Sequence, residues 1–577
     1  MQHRYARATV VLGALLLGGI VGDVAAGGAG FCGGWDARLS VDGGFDGVVL
    51  AMTYAAPGDG GGAPAQLFAG GDFEHVNGAA ASRIAAWDGS SWSQVGGGIS
   101  GRVAALCAWD PDGDGPLAPV LVAGGTFASA GGVAASNIAV WDGSAWSALA
   151  EGVNASVFAL STWDPDGQGP LPPVLVAGGQ FTTAGAATVN RVAVWDGSAW
   201  SALGSGMSGG SFPFVYALTA WDADGDGAQG EVLVAAGNFL SAGGVAASRI
   251  AAWDGVSWSA LGSGVSGAVT ALRVWDPDDA GSLPARLVAG GFFGSAGGVP
   301  ASRIAMWNGA VWQAVGAGAD GPVWSLATWD PDGSGSAPAQ LVAGGFFASS
   351  GGVTVNGVMR WDGDSWWPLG TGISGADDPV VYTLAVGNAE GKDGLLPAPI
   401  AAGGQFDVVD GVTVGNAGLW TSRRPQVTEQ PSEVSVLIGE TAAFSADGIN
   451  GALAYRWRRD SQELKDGATM WGSVIAGAMT RELVIEHVQP EDQGGYALML
   501  VNSCGDESSD VALLVVTPPA CPGDANGDNL VDGADLSVLL GQFGTLVTPG
   551  TGADFNFDGH VNGADLSVLL GQFGAAC

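Results

Sequence analysis

Near its end the chain sets oxygen-bearing side chains at alternate positions in two stretches. "DANGDNLVDGAD" carries Asp524, Asn526, Asp528, Asp532 and Asp535, and "DFNFDGHVNGAD" carries Asp554, Asn556, Asp558, Asn562 and Asp565. These are positions 1, 3, 5, 9 and 12 of a loop whose oxygens converge on a hard cation while the chain turns sharply. Position 7 adds a backbone carbonyl, from Leu530 in the first loop and His560 in the second. The chemistry is calcium binding, with one ion expected in each loop.

Both loops run into the same segment, "GADLSVLLGQFG", at Gly533 to Gly544 and again at Gly563 to Gly574. Leu536, Val538, Leu539, Leu540 and Phe543, with twins Leu566, Val568, Leu569, Leu570 and Phe573, predict two exiting helices that pack on each other. Val531 and Val561 are expected to pair the two loops. No entering helix is expected, because Pro518 and Pro519 precede the first loop and "TPGTG" precedes the second. The loops end in aspartate where the usual helix-loop-helix hand has glutamate.

With these features the last sixty residues, 518–577, resemble a type I dockerin. The resemblance implies that loop positions 10 and 11, here Gly533-Ala534 and Gly563-Ala564, contact a cohesin. Identical doublets imply two equivalent faces and docking in either orientation. The Ser-Thr pair frequent in the family is absent, so the expected partner is a cohesin-like protein or another cell-surface component. Asn529 stands where the first loop needs its turn glycine, a place asparagine tolerates. Cys521 and Cys577 bracket the module and are the expected disulfide, whereas Cys32, Cys107 and Cys504 have no assignable partner.

At 577 residues the chain requires several domains. Its 101 glycines accompany 47% hydrophobic residues and 23 tryptophans, which excludes a disordered or collagen-like chain. A net charge of -37, with Lys392 and Lys465 the only lysines, repels phosphate backbones and anionic membranes, so nucleic acid is excluded as a partner. Cations are favoured, beside the plain reading of a solvated acidic surface. Arg4, Arg7, an apolar run from Thr9 to Gly22 and small residues up to Ala26 predict a secretory signal peptide over 1–26. The run is shorter than a bilayer span, so no membrane span is expected in the mature chain, which is secreted or held at the cell surface.

The middle is a repeat. "LFAGGDF" and its six relatives end at Phe73, Phe127, Phe181, Phe239, Phe293, Phe347 and Phe406, spaced 54 to 59 residues apart. Each unit holds four candidate strands, such as "VAALCAWD", "PVLVAGG", "SNIAVWD" and "AWSALA", which is the content of a propeller blade. Asp88-Gly89 predicts a two-residue hairpin turn, with Ala85 opposite Trp92 and with Trp87 and Trp92 diagonal on one face. The seventh unit stops at Trp420 without a fourth strand, and "GGWDARLSV" with Trp35 is expected to supply it and close the ring. Seven blades are expected, with six or eight as alternatives. The glycine doublet, aromatic and trailing tryptophan resemble kelch-type propellers over residues 27–424.

The galactose oxidase branch of that fold needs copper ligands, and the repeat region holds a single histidine, His75, read as a loop residue. The turns with Asp110, Asp112 and Asp114, with Asp164 and Asp166, with Asp222, Asp224 and Asp226, and with Asp330 and Asp332 alternate acids but lack a closing acid. They are read as hairpin turns, with calcium loops as the alternative. A glycan or a protein is the expected ligand of this region.

Residues 425–517 resemble an immunoglobulin-like domain, with Trp457 on a strand and Asp492, Gly494 and Tyr496 as a tyrosine corner. Ala446 and Leu498 occupy the usual cysteine positions. The expected architecture is mainly β: a seven-bladed β-propeller, an immunoglobulin-like β-sandwich and a small α-helical dockerin-like end. The expected function is a secreted, non-catalytic, calcium-dependent interaction protein. The alternative is a carbohydrate-active protein, a glycoside hydrolase or glycan binder, recruited by its dockerin.

Overall fold

A computed structural model describes residues 33–575, apart from 41–42, 59–64, 114–116, 168, 223–230, 279–282, 332–337, 376–377, 388–397, 423–424, 450–452, 503–504, 518–520 and 550. The expected signal peptide, Asp114, Asp224, Asp226, Asp332, Cys32, Cys504 and Cys577 lie outside these residues. The chain is mainly β, and the two α-helices found among the described residues stand towards the C-terminal end.

Seven four-stranded antiparallel sheets succeed one another between Gly33 and Ser422. In the third, Val157–Trp163, Val174–Gly179, Val192–Trp195 and Trp200–Ala202 lie in chain order across the sheet. The seventh takes Val380–Val386, Ile400–Gln405 and Ala417–Ser422 from its own repeat and Gly33–Asp36 from the N-terminal side, with Trp35 opposite Trp420. The first strands pack on one another in succession, and Val380–Val386 packs against Val49–Ala55.

The glycine doublet permits this close approach. A Cβ on Gly124 would stand 2.6 Å from Val157 of the next sheet, and one on Gly125 would meet the Arg102 carbonyl at 2.0 Å. Tryptophans then link neighbouring sheets. The fourth-strand indoles of Trp146, Trp200, Trp258, Trp312 and Trp366 each donate to a carbonyl of the preceding sheet's end, at Val95, Leu149, Leu203, Leu261 and Val315. Trp35 donates to Leu369 at 3.0 Å and Trp92 to Leu39 at 2.8 Å, so the series returns to its start.

The tryptophan hairpins differ from the expected register. Trp87 lies directly opposite Trp92, with Ala85 opposite Gln94, so the loop has four residues instead of two. The reason is Asp88, whose Oδ1 accepts the backbone N–H groups of Ser90 and Ser91 at 2.8 and 2.7 Å and spans the longer turn. Facing rings result, with centroids 5.6 Å apart in this pair and 5.4 Å in Trp195–Trp200.

Residues 426–517 form a β-sandwich. One sheet contains Val434–Leu437, Ala512–Thr517, Gly494–Asn502 and Ala454–Arg459, and the other Ala442–Ser445, Glu482–Glu486 and Val474–Ala476. Trp457, Phe444, Ala446 and Leu498 are buried between them, so apolar packing fills the place of a cross-link. The Tyr496 hydroxyl donates to the Asp492 carbonyl at 2.7 Å, the hydrogen bond of a tyrosine corner.

Helices α1 (Gly533–Gln542) and α2 (Gly563–Gln572) carry identical sequences and contact each other. Their core is Leu539 and Leu569 with Val531 and Val561, all fully buried. Leu540, Phe543, Leu570 and Phe573, expected in that core, are 48 to 59% exposed, because Leu539 and Leu569 occupy the buried side of these ten-residue helices. The two valines do not hydrogen-bond each other as expected. Val531 pairs with Gly574 and Ala575 after α2, and Val561 with Gly544 and Thr545 after α1. Each loop is therefore fastened to the segment that follows the other helix.

Candidate metal centre

Each helix begins with the end of its loop. Asp532 and Asn562 cap α1 and α2, their side-chain oxygens accepting from Ala534 N at 2.7 Å and Ala564 N at 2.8 Å. Asp535 and Asp565 complete the capping boxes from inside the first turn.

These closing aspartates hold the loops in shape. Asp535 is fully buried and accepts from Ala525 N, Asn526 N and Asp532 N at 2.7, 3.0 and 2.8 Å. Asp565 repeats this with Phe555 N, Asn556 N and Asn562 N. Burial pushes the Asp535 carboxyl up, but the three N–H groups outweigh it and hold it below the usual carboxylate range.

The first acid of each loop organises the turn. Asp524 accepts from Gly527 N and Asn529 N at 2.8 Å each, and Asp554 from Gly559 N at 2.9 Å. Asn526 and Asn556 donate to Asp528 and Asp558 at 2.9 and 2.8 Å. Carboxylate oxygens of Asp524, Asp528 and Asp535 lie within 4.8 Å of one another, and so do those of Asp554, Asp558 and Asp565. Like charges at that spacing repel unless a cation joins them, and an all-oxygen donor set suits a hard divalent ion.

The remaining candidates are placed as follows. Leu530 and His560 occupy the loop bends, their N–H groups bonded to Asp528 and Asp558 at 3.0 and 2.8 Å. Gly533, Ala534, Gly563 and Ala564 are all exposed on the first turns. Cys521 is disulfide-bonded, and Cys577, its expected partner, lies outside the described residues. Cys107 is a free thiol whose burial raises its pKa to about 12.

In the repeat region the acids serve turns. Asp164 accepts from Asp166 N and Gly167 N, and Asp166 from Leu171 N. Asp110 and Asp112 do likewise, and no further cluster of metal-ligating residues occurs among the described residues. His75, expected on a loop, instead opens the two-residue strand His75–Val76, which pairs with Ala79–Ala80, and its exposed ring lies against Asp46 at 2.8 Å.

Comparison with known families defines the class of the two C-terminal modules. Residues 425–515 match the immunoglobulin I-set domain, and residues 522–573 match the dockerin type I domain. Type I dockerin domains bind calcium and dock to cohesin partners. Similar solved structures include the titin domains Z1Z2 in complex with telethonin, 29% identical over 17% of this chain and 50% of that one, TM-score 0.15. A chimeric titin Z1Z2 bearing a decorin peptide is 27% identical over 16% and 95%, TM-score 0.14. The twitchin kinase region of C. elegans is 23% identical over 16% of each chain, TM-score 0.14, so this chain spans about a sixth of its length. No helix among the described residues is long and apolar enough to cross a membrane.

Proposed function

We propose that this is a secreted, calcium-dependent interaction protein. After removal of 1–26, residues 27–424 form a kelch-like seven-bladed β-propeller, 425–517 an immunoglobulin-like spacer, and 518–577 a tail that docks the rest to a cohesin-like or cell-surface partner. The propeller is supported by the cyclic packing of the first strands and by the series of indole hydrogen bonds that returns from Trp35 to Trp92.

Two calcium ions belong to the reading. Asp524, Asn526, Asp528, the Leu530 carbonyl, Asp532 and Asp535 would hold one, and Asp554, Asn556, Asp558, the His560 carbonyl, Asn562 and Asp565 the other. Bound calcium would supply the positive charge that lets each carboxylate cluster stay compact. The chain's own part is to hold the loops by backbone N–H groups and to orient the two helices.

One observation carries the docking assignment: the tail shows the same exposed face twice. Gly533, Ala534, Ser537 and Leu540 lie together along the outer side of α1, Gly563, Ala564, Ser567 and Leu570 along α2, and all are exposed. Small residues beside an apolar side chain allow close approach by a partner.

The mature chain, immobilised, is to be exposed to envelope and secreted proteins of the source organism in calcium and then in chelator, beside a chain ending at residue 517. Capture that needs both calcium and the tail is expected. Equal capture by the shortened chain would overturn the assignment.

A further inference from the structure

The first strand of each of the seven sheets carries a β-bulge at the same place, between Val157 and Ala159 in the third and Val323 and Ser325 in the sixth. The valine before each bulge is fully buried, while the residue at the bulge is half-buried. Bulges re-aim side chains out of the ladder. In a repeat that otherwise holds its residues, this position varies: Phe158, Tyr216, Trp324 and Tyr382 in four sheets, and Leu50, Ala104 and Thr270 in the others.

All seven line one cavity of about 460 Å³. Its aromatic residues make two walls. On one, Phe158 and Tyr216 stand 5.5 Å apart, and Phe214 meets them at 6.0 and 5.9 Å. On the other, beyond the Thr270 sheet, Trp324 lies 5.4 Å from Tyr382 and 5.1 Å from Phe292. Phe212 and Phe292, 65% and 43% exposed, carry the walls outward.

We propose that this cavity is a binding site for a neutral saccharide. A sugar ring has an apolar face of C–H groups and an edge of hydroxyls, so it needs flat aromatic surface with polar groups around it. The two walls supply the surface, and the Tyr216 and Tyr382 hydroxyls, the Trp324 indole N–H and Gln405 supply the polar groups. The ligand is neutral because Arg102, the one charged residue of the lining among the described residues, is already held by Asp72 at 2.7 Å. A net charge of -37 further disfavours anionic ligands. The site rests on the reading above for its setting, as what the repeat region carries to the docked partner, while its chemistry is independent of the tail.

The test is calorimetric titration of the mature full chain with cellohexaose, xylohexaose and laminarihexaose, in calcium and in chelator. At least one hexaose is expected to bind in both conditions, with affinity lowered at least about tenfold by Trp324→Ala and by Tyr216→Ala. Val256→Ala, on a distant exposed hairpin, leaves it unchanged. Absence of binding by all three hexaoses overturns the proposal, as does binding that neither aromatic variant alters while circular dichroism shows the fold intact. A proline-rich peptide that binds where the sugars do not also overturns it. Sugar binding without calcium-dependent capture by the tail removes the docking reading and leaves this one, and the reverse result removes only this one.

Discussion

Trp35 and Trp420 face each other on paired strands, their ring centroids 5.7 Å apart, although they come from opposite ends of the repeat region. Trp35 is 1% exposed and donates its indole N–H to the Leu369 carbonyl of the sixth sheet. An N-terminal strand that only frayed against the edge would leave this ring open to solvent.

Trp35→Ala is therefore expected to destabilise the repeat region as much as Trp312→Ala in its middle, by ~3–5 kcal/mol each. Thermal unfolding of the two variants measures this. A Trp35 variant that melts like the parent would show that the terminal strand does not hold the sheets together.

The clustering of acids in the two loops is legible because their spacing is local: Asp524 to Asp535 and Asp554 to Asp565 need no distant contact to be recognised. The Asp88 hairpin departs from its expected register because the Asp-Gly pair signals a two-residue turn, while the Asp88 side chain bridges a four-residue one. The spacing of Leu540 and Leu570 predicts core positions, because hydrophobic periodicity alone does not separate the buried side of a short helix from its exposed side. The aromatic cavity residues are hidden in the sequence for another reason. Phe158, Tyr216 and Trp324 look like ordinary strand residues, and only their variation at one aligned position after a constant valine marked them.

The hairpin aspartates are expected to make the repeat region acid-sensitive. Backbone N–H groups of Ser91 and Ser90 hold the Asp88 pKa at about 2, and the same kind of bonds lower Asp142, Asp196 and Asp254. A carboxyl depressed on folding stabilises fully above its unfolded value and loses that stabilisation as pH falls through its folded one. Stability should therefore fall between pH about 4 and about 2. Asn308 caps the corresponding turn without titrating, accepting from Ala310 N and Val311 N. Asp→Asn at the four positions is expected to lower the melting temperature slightly at pH 7, where the charged acceptor is lost, and to reduce its further loss at pH 2.5. An unchanged acid transition would count against these caps.

Asn529 adopts φ +66° at the sharp turn of the first loop, where the second has Gly559 at +78°. A β-branched side chain disfavours that conformation by about 1–2 kcal/mol. Asn529→Val is expected to weaken calcium binding at the first loop by about tenfold. Asn529→Gly preserves it, and both leave the second loop unchanged in a two-site calorimetric titration. Equal weakening at both loops would mean that they bind as one unit.

The crossed fastening of the loops, Val531 to the segment after α2 and Val561 to the segment after α1, holds both halves of the tail in the same way. Both helices carry the same residues, and Leu540 and Leu570 are 59% and 56% exposed at matching places. A partner that engages one face at a time still has the other when the first is blocked. Leu540→Arg or Leu570→Arg alone should weaken capture by about twofold, or ~0.4 kcal/mol, the statistical loss of one of two equivalent faces. The double variant should abolish capture, with calcium binding retained because neither leucine belongs to a loop. Surface plasmon resonance against the captured partner distinguishes the cases. A single variant as damaging as the double would mean that the partner reads only one of the two faces, or both at once.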